Sequence, residues 1–136
     1  MEVFFYGLFM DAAVLLEKGI EPKLPRKAYL KDYTLRIGER ASLIHSKDDF
    51  CYGMLMVCDK YSLQKLYSEP SVADYVPEEV NVYTDQGESI SALCYNLPTE
   101  LIKGTNTAYA ASLLQLAKQL EFPAIYLEKI KAMAKG

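Results

Sequence analysis

The sequence predicts an α+β fold in which most strands come first and the longer helices come last. Short apolar runs separated by turn residues fill roughly the first two thirds of the chain, which is typical of strands. After Pro98 the apolar residues change to helical spacing. At 136 residues the chain has the usual size of one domain, so we expect a single domain over residues 1-136.

The N-terminal segment predicts a strand, a glycine-containing turn and a helix, in that order. Residues 1–6 form a short apolar run that suits a buried strand, and Gly7 breaks it. Asp11 can cap a helix over residues 12–18, and Gly19 is a typical C-terminal stop.

The middle of the chain predicts a series of strands. Residues 21–26 contain two prolines and indicate a connecting loop, and residues 28–37 then form an apolar-rich strand. A short strand over 41–45 and a longer one over 50–58 flank a polar turn at 47–49.

The segment after residue 58 predicts a short helix followed by a hairpin. Ser62 can cap the helix, and Pro70 ends it. Residues 79–83 and 89–95 flank the turn Asp85-Gln86-Gly87-Glu88, which is the clearest hairpin signal in the chain.

The C-terminal segment predicts two helices. Apolar residues fall at helical spacing from Tyr109 to Leu120. A second short helix begins at Pro123 and runs through Ile130, because proline is favoured at a helix start.

Composition argues against several classes of function. The net charge is −3 and both signs are scattered, so there is no basic stripe for nucleic acid. No apolar run approaches the roughly 18 residues that a membrane helix needs, and the N-terminus lacks the basic flank of a signal peptide. Cys51, Cys58 and Cys94 show no metal-like pairing, so we expect reduced core thiols in a cytoplasmic protein.

His45 is the only histidine, so a histidine-assisted nucleophile could use no other. Catalytic triads assemble in space, and the sequence therefore leaves that option open, although a structural or surface role is the expected one. One histidine and unpaired cysteines do not give a metal-ligand pattern, and no nucleotide-binding glycine motif is present.

Three segments carry motifs that recur together, and in this order, in one protein family. They are Phe4 to Met10 (FFYGLFM), Cys51 to Leu55 followed by Glu69, Tyr75 and Val80 to Tyr83, and Tyr109 to Ile130 with Ala117, Phe122, Pro123 and Tyr126. By their order and spacing these segments resemble the γ-glutamylcyclotransferase superfamily, which includes the AIG2-like proteins. The resemblance implies a small mixed β-barrel or half-barrel flanked by helices.

The resemblance also implies a reaction, which is an intramolecular aminolysis. The free α-amine of a γ-glutamyl group attacks its own γ-carbonyl, so 5-oxoproline forms and an amine or amino acid is released. A carboxylate must take a proton from the attacking amine and give one to the leaving nitrogen. Backbone N–H groups of a turn that opens a helix can stabilise the negative charge on the γ-oxygen and the α-carboxylate.

Site residues follow from the resemblance by position. Glu69 matches the catalytic acid/base, although an ordinary surface glutamate at a helix end would look the same in sequence. Glu78 and Glu79 are the fallback carboxylates. The residues implied in substrate binding are the loop Tyr6, Gly7, Leu8, Phe9 and Met10, together with Tyr75 and Tyr109.

Three departures from the family pattern keep a second hypothesis open. Leu8 stands where the family has Ser or Thr, Phe9 where it has Asn or Leu, and Pro70 where it has Gly. The first hypothesis is an enzyme that needs no cofactor or metal and acts on a small γ-glutamyl amide or peptide. The second is a non-catalytic domain that binds a small carboxylate or amino-acid-like ligand, and a third is an interaction domain without a pocket.

The leaving group and the oligomeric state are not indicated by any motif. We expect the leaving-group side of the pocket to be formed by loops such as residues 38–50 and 97–107, whose sequences identify no substrate.

Overall fold

The structure, a computed structural model, describes residues 1–135 and contains five strands and four helices in that range. The strands are β1 (Glu2–Phe5), β2 (Lys23–Ile37), β3 (Ala41–Val57), β4 (Val76–Thr84) and β5 (Ser89–Asn96). The helices are α1 (Ala12–Glu17), α2 (Lys60–Leu66), α3 (Thr107–Gln119) and α4 (Ala124–Ala134). Short 3-10 turns lie at Leu8–Met10 and Thr99–Leu101. The predicted α+β class is confirmed.

The five strands form a closed barrel in the order β1-β3-β2-β4-β5. All neighbouring pairs are antiparallel except β1 and β5, which pair in parallel at Val3 and Leu93 and so close the sheet. The small mixed barrel that the resemblance implied is therefore confirmed.

The C-terminal helices pack together and against the barrel. Leu113 of α3 and Ile130 of α4 are fully buried. Tyr126 of α4 places its hydroxyl 3.2 Å from the Cys51 thiol of β3, which fixes α4 on that strand. Burial raises the pKa of the Cys51 thiol to about 12, so the group stays protonated. Cys51, Cys58 and Cys94 are all buried free thiols, as predicted.

The prediction of two strands and a turn between residues 41 and 58 is wrong, because β3 runs through the whole segment. Lys31 of β2 pairs with Phe50, and Tyr33 pairs with His45, so residues 46–49 lie opposite Asp32 alone. The Asp32 side chain accepts a hydrogen bond from the Asp48 N–H at 3.0 Å. The polar residues thus form an irregularity inside a continuous strand.

Two further boundaries differ from the predictions. β2 begins at Lys23, so the predicted loop over residues 21–26 is mostly strand, with a register shift near Pro25 that accommodates the missing N–H. Asp59, and not Ser62, caps α2, because its carboxylate accepts from the Ser62 N–H at 2.7 Å.

Several local predictions are confirmed. Asp11 caps α1 by accepting from the Ala13 N–H at 2.9 Å. β4 and β5 form the predicted hairpin, and both C-terminal helices are present. No helix in residues 1–135 is both long and apolar enough to cross a membrane.

Candidate functional site

A cavity of about 320 Å³ lies at the end of the barrel where β1 leads into the following loop. Its walls come from this loop, from α1, from the turn between β2 and β3, from the segment after α2, from β5 and from the start of α3. Segments that are distant in the sequence therefore meet at one place.

The loop after β1 forms one wall of the cavity. Residues 6–9 line it, whereas Met10 is 3% exposed and lies in the hydrophobic core, outside the lining. The loop turns tightly, because the Met10 N–H donates to the Gly7 carbonyl at 3.0 Å. Within residues 1–135 the N–H groups of Gly7 and Phe9 donate to no acceptor, so both are available to a ligand.

Tyr109 of α3 holds this loop in place through a hydrogen bond. Its hydroxyl accepts a hydrogen bond from the Leu8 N–H at 3.2 Å. A Cβ atom on Gly7 would lie 2.5 Å from the same hydroxyl, so glycine is needed for the close approach. Burial raises the pKa of Tyr109, and the hydroxyl therefore remains neutral. It donates to no acceptor in the described part of the chain, which leaves its proton for a ligand at the cavity.

Glu69 lines the same cavity, beyond the end of α2. The ammonium group of Lys18 bonds both of its oxygens, at 3.0 Å from Oε1 and 2.8 Å from Oε2. The side chains of Lys18 and Glu69 are 31% and 37% exposed, so the pair lies at the mouth of the cavity and is open to solvent. Glu69 begins a turn in which the Val72 N–H donates to the Glu69 carbonyl at 3.0 Å.

Aromatic side chains cover much of the remaining wall. Tyr67 stacks on Tyr95 with ring centroids 3.8 Å apart and an interplanar angle of 8°. Phe9 meets the Tyr67 ring edge-on at 6.0 Å. The Tyr6 hydroxyl donates to the Tyr95 carbonyl at 2.7 Å, and the Tyr75 hydroxyl donates to a carbonyl of β3. Burial raises the pKa of Tyr6 and Tyr67, so these walls stay uncharged.

Charged residues of the β2–β3 turn form another part of the rim. Of the two loops predicted for the leaving-group side, residues 39–41 line the cavity, whereas residues 97–107 do not. Arg40 donates through Nη1 to the Asp74 carboxylate at 3.1 Å and to the Ser71 carbonyl at 3.4 Å. This end of the cavity therefore carries a paired cation beside the Glu39 side chain.

The fallback carboxylates and the histidine lie outside the cavity lining. Glu78 accepts from the Tyr33 hydroxyl at 3.0 Å and from the Asn96 amide at 2.8 Å, while Glu79 accepts from a serine of β5. The His45 side chain is 77% exposed, with Nε2 3.1 Å from the Tyr33 hydroxyl. Within residues 1–135, no three His, Cys, Asp or Glu side chains are arranged to hold a metal ion.

The structure thus brings together most of the residues that the sequence motifs singled out. Glu69, Tyr75, Tyr109 and residues 6–9 share one cavity, and Met10 does not line it. The motifs missed Lys18 and the stacked pair of Tyr67 and Tyr95. Basic residues near the end of a short helix and tyrosines in strands are common, and Tyr67 follows directly after α2 without belonging to a motif, so neither signal stood out.

The sequence matches one protein-family model over most of its length. The family is described as "Gamma-glutamyl cyclotransferase, AIG2-like", and the match covers residues 3–126. No curated protein matches the sequence at a significant level.

Solved structures with the same fold include a gamma-glutamyl cyclotransferase and an uncharacterised protein from Homo sapiens. The first has a TM-score of 0.79 and 22% identity, and the match covers 98% of this chain and 87% of the other. The human protein has a TM-score of 0.80 and 23% identity, with coverage of 97% and 86%. A yeast gamma-glutamyl cyclotransferase specific to glutathione has a TM-score of 0.64 and 11% identity, with coverage of 99% and 95%. At these identities the likeness establishes the shared fold.

Proposed function

Because the chain belongs to the gamma-glutamyl cyclotransferase, AIG2-like family, we propose that it cyclises the γ-glutamyl group of a small γ-glutamyl amide or peptide. The products are 5-oxoproline and the released amine. The observation that carries this proposal is that the Glu69 carboxylate and the loop of residues 6–9 line the same cavity. An acid/base group and a set of hydrogen-bond donors are the two parts that the reaction requires.

In the proposed mechanism, Glu69 takes a proton from the substrate α-ammonium group. The neutral amine then attacks the γ-carbonyl carbon, a C–N bond closes the five-membered ring, and negative charge develops on the γ-oxygen. The N–H groups of Gly7 and Phe9 and the hydroxyl of Tyr109 are the donors available to that oxygen. The intermediate collapses as the bond to the leaving nitrogen breaks and Glu69 gives its proton to that nitrogen. The departing amine takes the second proton from the ring nitrogen, so that 5-oxoproline and an ammonium product result and Glu69 is again a carboxylate.

The departures at Leu8 and Phe9 are compatible with this mechanism, because it uses backbone donors in the loop. The Phe9 side chain packs on the Tyr67 ring, and Leu8 packs against the core. Apolar side chains here reduce the water that competes for the donors, which strengthens each hydrogen bond to a developing charge.

Glu69→Gln tests the assignment. The substitution keeps the shape but removes the group that carries the proton, so we expect 5-oxoproline release to fall by about 100- to 10,000-fold. The assay is release of 5-oxoproline from a panel of γ-glutamyl dipeptides and γ-glutamyl-lysine. Glu79→Gln is the matched control, since Glu79 lies outside the cavity lining and its partner is a serine hydroxyl. Equal rates for wild type and Glu69→Gln would remove Glu69 from the mechanism.

The second candidate function is a non-catalytic domain that binds a small carboxylate or amino-acid-like ligand. One observation favours it: Lys18 bonds both oxygens of Glu69, so a substrate ammonium has to compete with this cation for the carboxylate. Thermal stabilisation by glutamate or 5-oxoproline, with no turnover of any γ-glutamyl substrate, would support the binding domain. A pocket-free interaction domain agrees poorly with a cavity of this size.

We also propose that the protein works in the cytoplasm on a small γ-glutamyl substrate, without nucleic acid or membrane partners. Its three cysteines are buried free thiols, which is the usual state in a reducing compartment. Fractionation of cells that express the full chain, with detection in the cytoplasmic fraction, checks the location.

A further inference from the structure

We infer that Lys18 binds the substrate α-carboxylate, and that the amino-acid end of the substrate inserts into the Lys18–Glu69 ion pair. In the bound state the substrate ammonium faces Glu69 and the substrate carboxylate faces Lys18. This inference rests on the proposed function and adds a specificity residue outside the three sequence motifs.

The geometry of the ion pair is the first observation. One ammonium group bonds both carboxylate oxygens of Glu69, at 3.0 Å and 2.8 Å, and both side chains line the cavity. A substrate ammonium that reaches Glu69 competes with Lys18 for these oxygens, or lies beside it on their remaining lone pairs, where the two cations repel each other. In the described part of the chain Lys18 Nζ has no other partner to move to. The displaced cation therefore needs an anion that the substrate brings.

The chemistry of the γ-glutamyl group supplies this anion. Its α-carboxylate is attached to the same carbon as the α-ammonium, so the two charges enter the cavity side by side. Two ammonium groups next to one carboxylate repel each other. A carboxylate beside the second ammonium gives an alternating set of four charges, in which each cation is paired.

The loop has few other hydrogen-bond donors for the substrate α-carboxylate. The N–H of Leu8 is already occupied by the Tyr109 hydroxyl at 3.2 Å. The free N–H groups of Gly7 and Phe9 are the ones that the γ-oxygen needs in the proposed mechanism. A side-chain cation for the α-carboxylate leaves these backbone donors to the reacting oxygen.

In the described part of the chain two cationic residues, Lys18 and Arg40, line the cavity, and they differ in the number of protein groups that they contact. Arg40 is held by the Asp74 carboxylate and the Ser71 carbonyl, and its guanidinium carbon lies 6.0 Å from the centroid of the Tyr75 ring. Among residues 1–135, Lys18 is held only by Glu69, the group that the substrate ammonium is expected to engage. Lys18 follows the last residue of α1, where its N–H donates to the Leu15 carbonyl at 3.0 Å. Its backbone is thus fixed while its long side chain can shift.

The test compares two ligands that differ in one group and that the proposed reaction does not consume: 5-oxoproline and its analogue in which the carboxylate is a carboxamide. Affinities for both are measured by calorimetry for wild type and four variants, with 5-oxoproline release recorded separately. The variants are Lys18→Met, Lys18→Arg, Arg40→Met and Lys65→Met. Lys65 is the matched control, because it is an exposed lysine of α2 outside the cavity lining.

We expect wild type to bind the carboxylate ligand about 10- to 100-fold more tightly than the carboxamide, as for a charge-assisted hydrogen bond. The preference should fall to near unity in Lys18→Met, persist largely in Lys18→Arg and stay unchanged in Lys65→Met. If Lys18 only orients Glu69, Lys18→Met would weaken both ligands equally and keep the preference. That result would overturn the inference, and so would a preference that disappears in Arg40→Met instead.

The two proposals fail in distinguishable ways. A Lys18-dependent preference without 5-oxoproline release from any substrate in the panel supports this inference and contradicts the enzyme. Release of 5-oxoproline with a preference that does not depend on Lys18 supports the enzyme and contradicts this inference. No measurable binding of either ligand by wild type also counts against it.

Discussion

The loop of residues 6–9 is fixed by buried contacts, whereas Glu69 is fixed by an ion pair open to solvent. Behind the loop, the Tyr109 hydroxyl accepts the Leu8 N–H and lies where any Gly7 side chain would go. The carboxylate of Glu69 has Lys18 as its partner, and both side chains are about one third exposed. One part of the site is therefore preorganised, while the other can rearrange when a ligand arrives.

The two parts should therefore respond differently to perturbation. Changes behind the loop should reduce the free energy of unfolding, because they disturb buried contacts. Changes at the ion pair should leave stability almost intact and alter ligand binding or turnover.

The largest expected effect is a loss of stability at alkaline pH. Burial raises the pKa of Tyr6 and Tyr109, so these hydroxyls stay protonated in the folded protein after they ionise in the unfolded chain. The stability is fully present below pH 10, the ordinary tyrosine value, and falls as the pH rises above it. Each such tyrosine lowers the free energy of unfolding by at most about 1.4 kcal/mol per pH unit in that range.

Urea unfolding at pH 8, 10 and 11 measures this slope. Tyr109→Phe should flatten it, whereas Tyr61→Phe should not, because Tyr61 is 79% exposed. An unchanged slope in Tyr109→Phe would mean that the loop does not depend on this buried hydroxyl.

The next effect concerns the close approach at Gly7. Gly7→Ala places a Cβ 2.5 Å from the Tyr109 hydroxyl, and the resulting overpacking should lower the free energy of unfolding by about 1–3 kcal/mol. In a Tyr109→Phe background the nearest contact would be the ring carbon at 3.8 Å, so the same substitution should cost much less. A double-mutant cycle measures the coupling. Purely additive effects would contradict the steric explanation.

A smaller effect is expected at Tyr67, which contacts Phe9 of the loop and Tyr95 of β5 and lies two positions before Glu69. Tyr67→Leu removes these two pairs and the tilted contact with the Tyr75 ring at 6.2 Å, and it should lower the free energy of unfolding by about 0.5–1.5 kcal/mol for each pair lost. Tyr61→Leu on the exposed surface of α2 is the control and should change stability little. Equal losses in the two variants would show that the stacking contributes nothing specific.

The smallest effect on stability is expected at the ion pair itself. Lys18→Met should change the free energy of unfolding by less than about 1 kcal/mol, because solvent screens a pair that is one third exposed. Thermal and urea unfolding at two salt concentrations check this. A loss as large as that of Gly7→Ala would show that the two parts of the site are equally rigid.

Sequence predicted the features of the fold that depend on neighbouring residues. The Asp11 cap and the β4–β5 hairpin are determined within a few positions, so their signals are complete in the local sequence. The continuity of β3 was missed, because the polar residues 46–49 look like a turn on their own. Their conformation depends on the Asp32 side chain of the neighbouring strand, which accepts the Asp48 N–H.

The candidate site was predicted only in part, because some of its contacts join residues that are distant in the sequence. The loop and Glu69 were found through motifs, although local pattern gave no means of placing Met10 in the core and the other loop residues at the cavity. The Lys18–Glu69 pair joins residues 51 positions apart in the chain. A contact of that separation arises only when the chain folds, and no spacing in the sequence marks it.

The pairing of β1 with β5 bears on whether the protein aggregates when it is heated. β1 has four residues and lies between β3 and β5 in the barrel, so its detachment would leave two unpaired strand edges. Unpaired edges readily recruit strands from other molecules. The loop of residues 6–9 follows β1 directly, so a detachment of β1 would disturb the loop as well as expose these edges. Ligands that hold the loop in place should accordingly delay heat-induced precipitation.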